Sequence, residues 1–400
     1  MKLYHENIEF WDFLTMPLYL VFAYFLLVFV AKSVLLKDGK FINLHFLGLL
    51  IFYLTVGLID YKYKLIPFFP DTSLFTKILE TGQTPYDQSI GVRIGYKYLA
   101  YPVFQLSLNS IYNYFIFNIC FFHIGLILLA GAFNQFYQLK DVWVQRFFLI
   151  LGVVSPTVIV YSFTPLRESY FVLALGFFFY GITRKNTLNV FLILGVILAG
   201  ILRVQLLLYF FILVFAKYLF SLKIRRGVLV ALILLTIPVA YFTLNYLSQQ
   251  IINIRITPEA LSVFRNLQRM EYIKSGVTYP EVFWTNWFDV ALDFPGLFFQ
   301  FLLSPFPVVI FIPFWTKLAY FADGIFLLFI LFVAFLSVKE WKNYGMWFLF
   351  AGIYVAMSAF FEFHLFGAVR HRLPATLLLM SIAAISLASL YQKYKWIFKY

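Results

Sequence analysis

Arginine, glutamate and histidine recur in this 400-residue chain where its hydrophobic stretches break off, and these are the side chains able to do chemistry. The densest window, FEFHLFGAVRHRLP, holds Glu362, His364, Gly367, Arg370, His371, Arg372 and Pro374 within thirteen positions. Guanidinium forks grip phosphate through paired hydrogen bonds, carboxylates take protons, and imidazoles give or take them near neutrality. The window SPTVIVYSFTPLRES adds Arg167 and Glu168, and the turn GILRVQ adds Arg203 and Gln205. An arginine in a first helical turn opposes the helix dipole. Adjacent helical residues do not face each other, so Glu168 does not readily explain Arg167. Arg203 falls close to hydrocarbon, where charged groups face a bundle interior or a wet cavity. What unites these residues is the binding of a phosphate-bearing anion, with electrostatic stabilisation of a departing phosphate ahead of acid help from His371 or His364.

A transfer reaction also needs a base within reach of the attacking hydroxyl. Asp71 heads the stretch DTSLFTKILETG, with Asp60 and Asp87 in reserve and Glu362 as an alternative. Arg93, Arg265 and Arg269 are secondary candidates for contact with a large anion. Each of these has a plainer reading: Asp71 as a helix cap, Arg167 and Arg203 as snorkelling or structural ion pairs, and the 362–374 cluster as a patch for anionic headgroups. No DxD or His/carboxylate cluster with ligand spacing occurs. No cofactor is expected, and metal-free chemistry is preferred, with a divalent ion left open.

The elements that must position these residues are membrane helices. Hydrophobic residues make up 63% of the chain and charged ones 12%, and mean hydropathy is +0.87, a balance that excludes an ordinary soluble domain. Apolar runs predict about eleven spans, near 12–34, 42–59, 111–133, 147–163, 167–183, 187–202, 204–221, 227–246, 321–338, 343–361 and 373–391. The first lacks the compact basic start and cleavage site of a signal peptide and is expected to remain as a helix. The stretch 295–319, carrying Pro295, Pro305, Pro307 and Pro313, reads as a re-entrant hairpin or two extra short crossings. The whole chain is expected to be one integral unit with large outer loops at 60–97 and 247–292, the first containing a short amphipathic surface helix. The single cysteine, Cys120, allows no intrachain disulfide.

Charge chooses an orientation. Sixteen basic residues on alternate connections, among them Lys37, Lys140, Arg226 and Lys342, share their side with only Asp38, Asp141 and Glu340. That side is expected to be cytoplasmic, with the amino terminus outside and the carboxyl terminus inside a plasma or inner membrane. Lys62 and Lys64, beside the second span on the outer side, run against this rule. The net charge of +13 thus reports topology, and without a basic groove or stacking motif a nucleic-acid partner is not expected. Of the twelve arginines, eight fall on the outer side, and Arg167, Arg203, Arg370 and Arg372 sit at span edges.

The ordered set PDTSLF at 70–75, YSFTPLRES at 161–169, LRVQ at 202–205, LLSPFPVVI at 302–310 and AVRHRLP at 368–374 resembles the bacterial polytopic enzymes that build surface polysaccharides from polyprenyl-linked sugars. These are the O-antigen and capsule repeat-unit polymerases and their GT-C glycosyltransferase relatives. The resemblance implies an all-α, GT-C-like bundle whose outer cavity opens to the bilayer. It implies a polyprenyl-linked saccharide as substrate, Asp71 as the early acid, and phosphate or glycan contacts from Arg167, Arg203, Arg370 and Arg372. The early loop lacks the paired acids common in GT-C enzymes, and Glu168 stands where aspartate is frequent. A polymerase that transfers the glycan directly is the first reading, and a single-sugar transferase using a polyprenyl monophosphate the second. A lipid or glycan transporter is a third, since broken helices and intramembrane charge also suit one. Membrane lipids, and proteins of polysaccharide export, are the expected partners.

Overall fold

The computed structural model describes residues 8–66, 70–83, 90–184, 189–221, 241, 245–246, 249, 255–272, 278–306, 318–336 and 341–394. Helices account for nearly all of them. In chain order they are α1 (Phe10–Val34), α2 (Gly39–Tyr63), α3 (Pro70–Thr81), α4 (Ile90–Leu106), α5 (Ile111–Tyr137), α6 (Val142–Val154), α7 (Pro156–Ser162) and α8 (Glu168–Thr183). There follow α9 (Val190–Leu202), α10 (Val204–Ser221), α11 (Pro258–Tyr272), α12 (Trp287–Leu303), α13 (Leu318–Phe335), α14 (Trp341–Phe361), α15 (Leu365–His371) and α16 (Leu373–Tyr394). Short polar side chains start several of them by accepting otherwise orphaned backbone N–H groups. Ser110 does this for α5, Asp141 for α6, Asn189 for α9 and Asn286 for α12.

Among the described residues six helices are long and apolar enough to cross a membrane: α1, α2, α5, α13, α14 and α16. The pair α6 and α7, bent by 56° at Ser155, makes a seventh if counted as one broken span. The expected count of about eleven is therefore too high. Hydropathy registers an apolar run without its length in helix: α8 has 16 residues and α9 has 13, whereas about 20 are needed to cross unaided. Most of the expected span at 227–246 lies outside the described residues. The proline-rich stretch is described only in part. Pro295 sits inside α12, which continues to Leu303, and residues 307–317 lie outside the described residues.

The centre of the bundle is built on close backbone approach. A Cβ added at Gly125 of α5 would lie 2.4 Å from the Val172 carbonyl oxygen of α8, and one added at Gly176 would lie 2.4 Å from the Gly125 oxygen. Small residues let membrane helices pack backbone against backbone where water supplies no driving force between them. α5 and α16 are mostly enclosed by protein, while α1 and α2 present Phe13, Phe25, Phe29 and Leu58 outward, as lipid-facing helices do.

The two ends of the bundle are chemically distinct. At one end the lysine-bearing connections meet: Arg146 pairs with Asp38 at 2.6 Å, Gln145 accepts from Leu36 N–H at 3.0 Å, and Gln392 donates to Asp141 at 2.6 Å. At the other end Tyr96 of α4 donates to the Pro165 carbonyl and meets Tyr114 of α5, each at 3.0 Å. The α3 helix belongs to this second end. Its apolar face, Phe75, Ile78 and Leu79, is buried, and the Phe75 ring meets Tyr96 edge-on at 4.7 Å.

Candidate functional site

Three chain segments distant in sequence bring their polar residues together at that second end. α8 begins at Glu168 with Arg167 at its cap position, and the backbone leaves helical geometry at Arg203, between α9 and α10. The connection from α14 to α16 folds into the short helix α15. His364 opens α15 by accepting the Gly367 N–H on its Nδ1 at 3.1 Å, and its own N–H donates to Glu362 Oε1 at 3.1 Å. Helical spacing then turns Arg370 and His371 to different neighbours, about 100° apart. Arg370 donates through Nε to the buried carboxylate of Glu168. His371 lies between Arg203 and Glu362, with Arg203 Nη2 at 2.7 Å from Nε2 and Glu362 Oε2 at 2.5 Å from Nδ1.

The protonation of this row follows from its donors. A guanidinium can only donate, so His371 Nε2 carries the lone pair and Nδ1 carries the proton given to Glu362. Burial, and then the Arg203 and Arg370 cations, hold the imidazole down at about 4 against the pull of Glu362. Burial pushes Glu362 up, but its bonds from His371 and the His364 N–H, with the Arg203 cation, outweigh this and keep its carboxyl below the ordinary value. The row is thus cation, neutral imidazole, carboxylate at neutral pH. The His371 side chain keeps 25% of its surface exposed against 5% for Glu362, so the imidazole is the member a ligand can reach.

Arg167 joins from the side of α3. It donates to the Leu202 carbonyl at 3.2 Å, and its guanidinium lies 5.5 Å from the Phe75 ring centroid and 5.6 Å from that of Phe171. Arg203 lies 5.7 Å from the same Phe171 ring. Two guanidinium groups thus share one aromatic platform.

No known family model matches the chain, and neither a curated protein nor a solved structure is detectably similar to it. With the helix count, this leaves the GT-C-like bundle implied by the resemblance without support, and that architecture is not retained.

Other sequence candidates stand apart from the cluster. Arg372 is buried among protein groups: it pairs with Asp323 of α13 at 2.5 Å and donates to the carbonyls of Leu302, at 3.0 Å, and Ser304. Thr157 of α7 donates to the other oxygen of Asp323. This second polar group ties α7, α12, α13 and the start of α16 together. Arg265, also buried, donates to the carbonyls of Ala359 and Phe360, capping the end of α14 that leads to Glu362. Arg269 holds the Tyr279 carbonyl at 2.7 Å and Glu281 at 2.5 Å. The strip it clamps pairs with the site's own connection, through Tyr279 N–H on the Phe363 carbonyl and a bridge from Thr278 to His364. Arg265 and Arg269 therefore brace the site from behind.

Asp60 is buried and accepts from Ile66 N–H at 2.6 Å, stabilising the turn after α2. Gln205 is exposed at the start of α10. Asp71 lies in the first turn of α3 and Arg93 in α4, but their side chains, like the whole of Asp87, lie outside the described residues. Among the described residues no group of three His, Cys, Asp or Glu is placed to hold a metal ion. Asp323 and Tyr354, whose hydroxyl donates to the His371 carbonyl at 2.9 Å, escaped the sequence reading. Asp323 carried a usable signal, since a lone acid inside an apolar run requires a buried partner.

Proposed function

We propose that this protein is a membrane glycosyltransferase acting at the outer face on polyprenyl-phosphate-linked saccharides, as a polymerase of polysaccharide repeat units. The observation that carries the reading is the row Arg203–His371–Glu362, set beside the Arg370–Glu168 pair and Arg167 at one end of the bundle. Three cations around a reachable imidazole suit a diphosphate and a hydroxyl to be deprotonated next to it. The charge asymmetry of the connections supports an outer location for this end and an outside amino terminus.

In the reaction, an acceptor hydroxyl attacks the anomeric carbon of the lipid-linked donor. A new carbon–oxygen bond forms, the bond to the phosphate oxygen breaks, and its electron pair leaves with the lipid diphosphate. Arg203, Arg370 and Arg167 neutralise that leaving group, which therefore needs no proton. Arg203 also supplies a trigger. Drawn to the donor phosphate, it releases His371 Nε2, which takes the proton of the attacking hydroxyl. Glu362 holds the imidazole in the required tautomer and stabilises the imidazolium, as the carboxylate of a hydrolase triad does. Asp71, on the helix that contributes Phe75 to the arginine platform, is the alternative base. Phosphate departure makes a covalent enzyme intermediate unnecessary.

The deciding experiment incubates detergent-purified protein with one defined polyprenyl-diphosphate-linked repeat unit and reads polymer length and released lipid diphosphate together. Polymer with matching diphosphate release supports the proposal. Addition of one sugar from a polyprenyl monophosphate supports the single-sugar alternative. Movement of the lipid with the glycan unchanged would make the protein a transporter and end the enzyme reading.

A further inference from the structure

The site takes up Arg167, Arg203 and Arg370 but leaves Lys62 and Lys64, two lysines that run against the charge rule. They stand at the end of α2 beside a cleft between α1, α2 and α5. Met16 and Leu20 of α1, Leu54 and Leu58 of α2, and Ile119 of α5 form its walls, with Phe163 among the lining groups. Leu54 and Leu58 are exposed on α2, so the cleft opens sideways toward lipid. The lining turns polar at the bundle end, where Tyr61 and Tyr112 meet edge-on with centroids 6.3 Å apart. Tyrosine rings at such a level have one apolar side and one wet side.

Lys62 continues the same helical stripe. Lys62 is four residues beyond Leu58, a spacing that brings side chains to one face, and its Nζ lies 5.2 Å from the Tyr63 ring centroid, while Lys64 caps the helix in left-handed geometry and is placed by its ring contact. Lys64 Nζ lies 4.9 Å from the Tyr61 ring centroid, which places an ammonium on the rim itself. Both residues are exposed, and both complement the negative end of the α2 dipole. The one carboxylate of the lining, Asp60, is buried and bound to the Ile66 N–H. Two cations above an apolar slot that opens toward lipid match the chemistry of a single lipid with an anionic phosphate headgroup and one hydrocarbon chain to insert.

We propose that the α1/α2/α5 cleft is a binding site for an anionic glycerophospholipid of the bilayer, with one acyl chain between Leu20, Leu58 and Phe163 and the headgroup phosphate held by Lys62 and Lys64. This lipid is a resident of the protein and not its substrate.

The test is native mass spectrometry of the full-length protein released from mixed micelles of phosphatidylglycerol and phosphatidylcholine. The wild type is expected to retain phosphatidylglycerol preferentially. K62A and K64A should each lower that retention about fivefold without changing retention of phosphatidylcholine. L58W, on the exposed lip of the cleft, should lower retention of both lipids. Equal retention of the two lipids by wild type, or lysine variants that behave as wild type, overturns the proposal. Displacement of bound phosphatidylglycerol by a polyprenyl monophosphate, lost in L58W, also overturns it, because the cleft would then belong to the substrate. No donor glycan is present in these measurements, so a failure of glycosyl transfer leaves their outcome untouched.

Discussion

His371 is useful at neutral pH because burial, and then the Arg203 and Arg370 cations, keep it from being protonated. This has a testable sign. A base that must be neutral works above its pKa, so the wild-type rate should stay on its plateau down to weakly acidic pH. Arg203→Gln removes the neighbouring cation and should move the acid limb of the pH–rate profile upward, toward the ordinary histidine value of about 6.5. An unmoved limb would assign the base to another residue. His371→Gln and Glu362→Gln should each lower turnover by about 10²- to 10⁴-fold at unchanged abundance. The folded pKa lies below the unfolded one, so the stabilising contribution of neutral His371 is present above about 6.5 and is lost as pH falls toward 4. Thermal unfolding in detergent at stepped pH, wild type against His371→Gln, measures it. The two neighbouring arginines should separate in the same assays. Arg370→Lys keeps the charge but loses the fork and should cut turnover about 10²-fold. Arg372→Met leaves Asp323 buried without its cation and should cost about 3–5 kcal/mol of stability, with Asp323→Asn added to it restoring part. Nothing in the spelling AVRHRLP distinguishes Arg370 from Arg372. The difference lies in the partners, 202 residues away for one and 49 for the other, and only the packing of α8 and α13 supplies them.

At the scale of elements, the site depends on how short helices are joined. α15 has seven residues, and a Cβ at its Gly367 would stand 2.7 Å from Glu362 Oε1. Gly367→Ala should therefore push the carboxylate away from His371 and depress turnover while α14 and α16 still assemble, a result read from unchanged monodispersity on size exclusion. The same substitution on the α5/α8 seam should act differently. Gly176→Ala drives backbone against backbone and should lower yield and thermal stability before any kinetic effect can be measured. Several of these elements were legible beforehand. The α3 helix emerges from its periodicity and lies within one residue of the stretch 71–82. The outer segment 247–292 was less legible, since its contents, α11 and the strip paired with His364, depend on Arg265 and Arg269 reaching residues some 90 and 10 positions away.

For the whole molecule, the charge rule groups the connections by side, and three of the lysine-bearing ones, near 36–38, 141–146 and 392, meet in the fold. It does not by itself tell inside from outside in a given membrane, and a labelling experiment does. Cys120, the only cysteine, is buried, so single cysteines can be introduced against a quiet background. A cysteine at Thr81 should react with a membrane-impermeant maleimide on intact cells, and one at Lys140 only after permeabilisation. The reverse pattern would put the arginine cluster inside. The excess of expected spans has a physical origin too. Hydropathy cannot separate a helix shielded from lipid by its neighbours from one that meets lipid directly, and α8, buried over most of its length, belongs to the first kind.

The short helices α8 and α9 also set an altitude. With 16 and 13 residues they rise about 24 and 20 Å, against a hydrocarbon slab of about 30 Å. A rod shorter than the slab either sinks one end below the surface or draws the surface down to meet it. Glu168 and Arg203 are mounted on such rods, so the depth at which the proposed phosphate site sits is shared between protein and bilayer. For this protein, membrane thickness would act as a reaction condition, much as ionic strength does for a soluble enzyme.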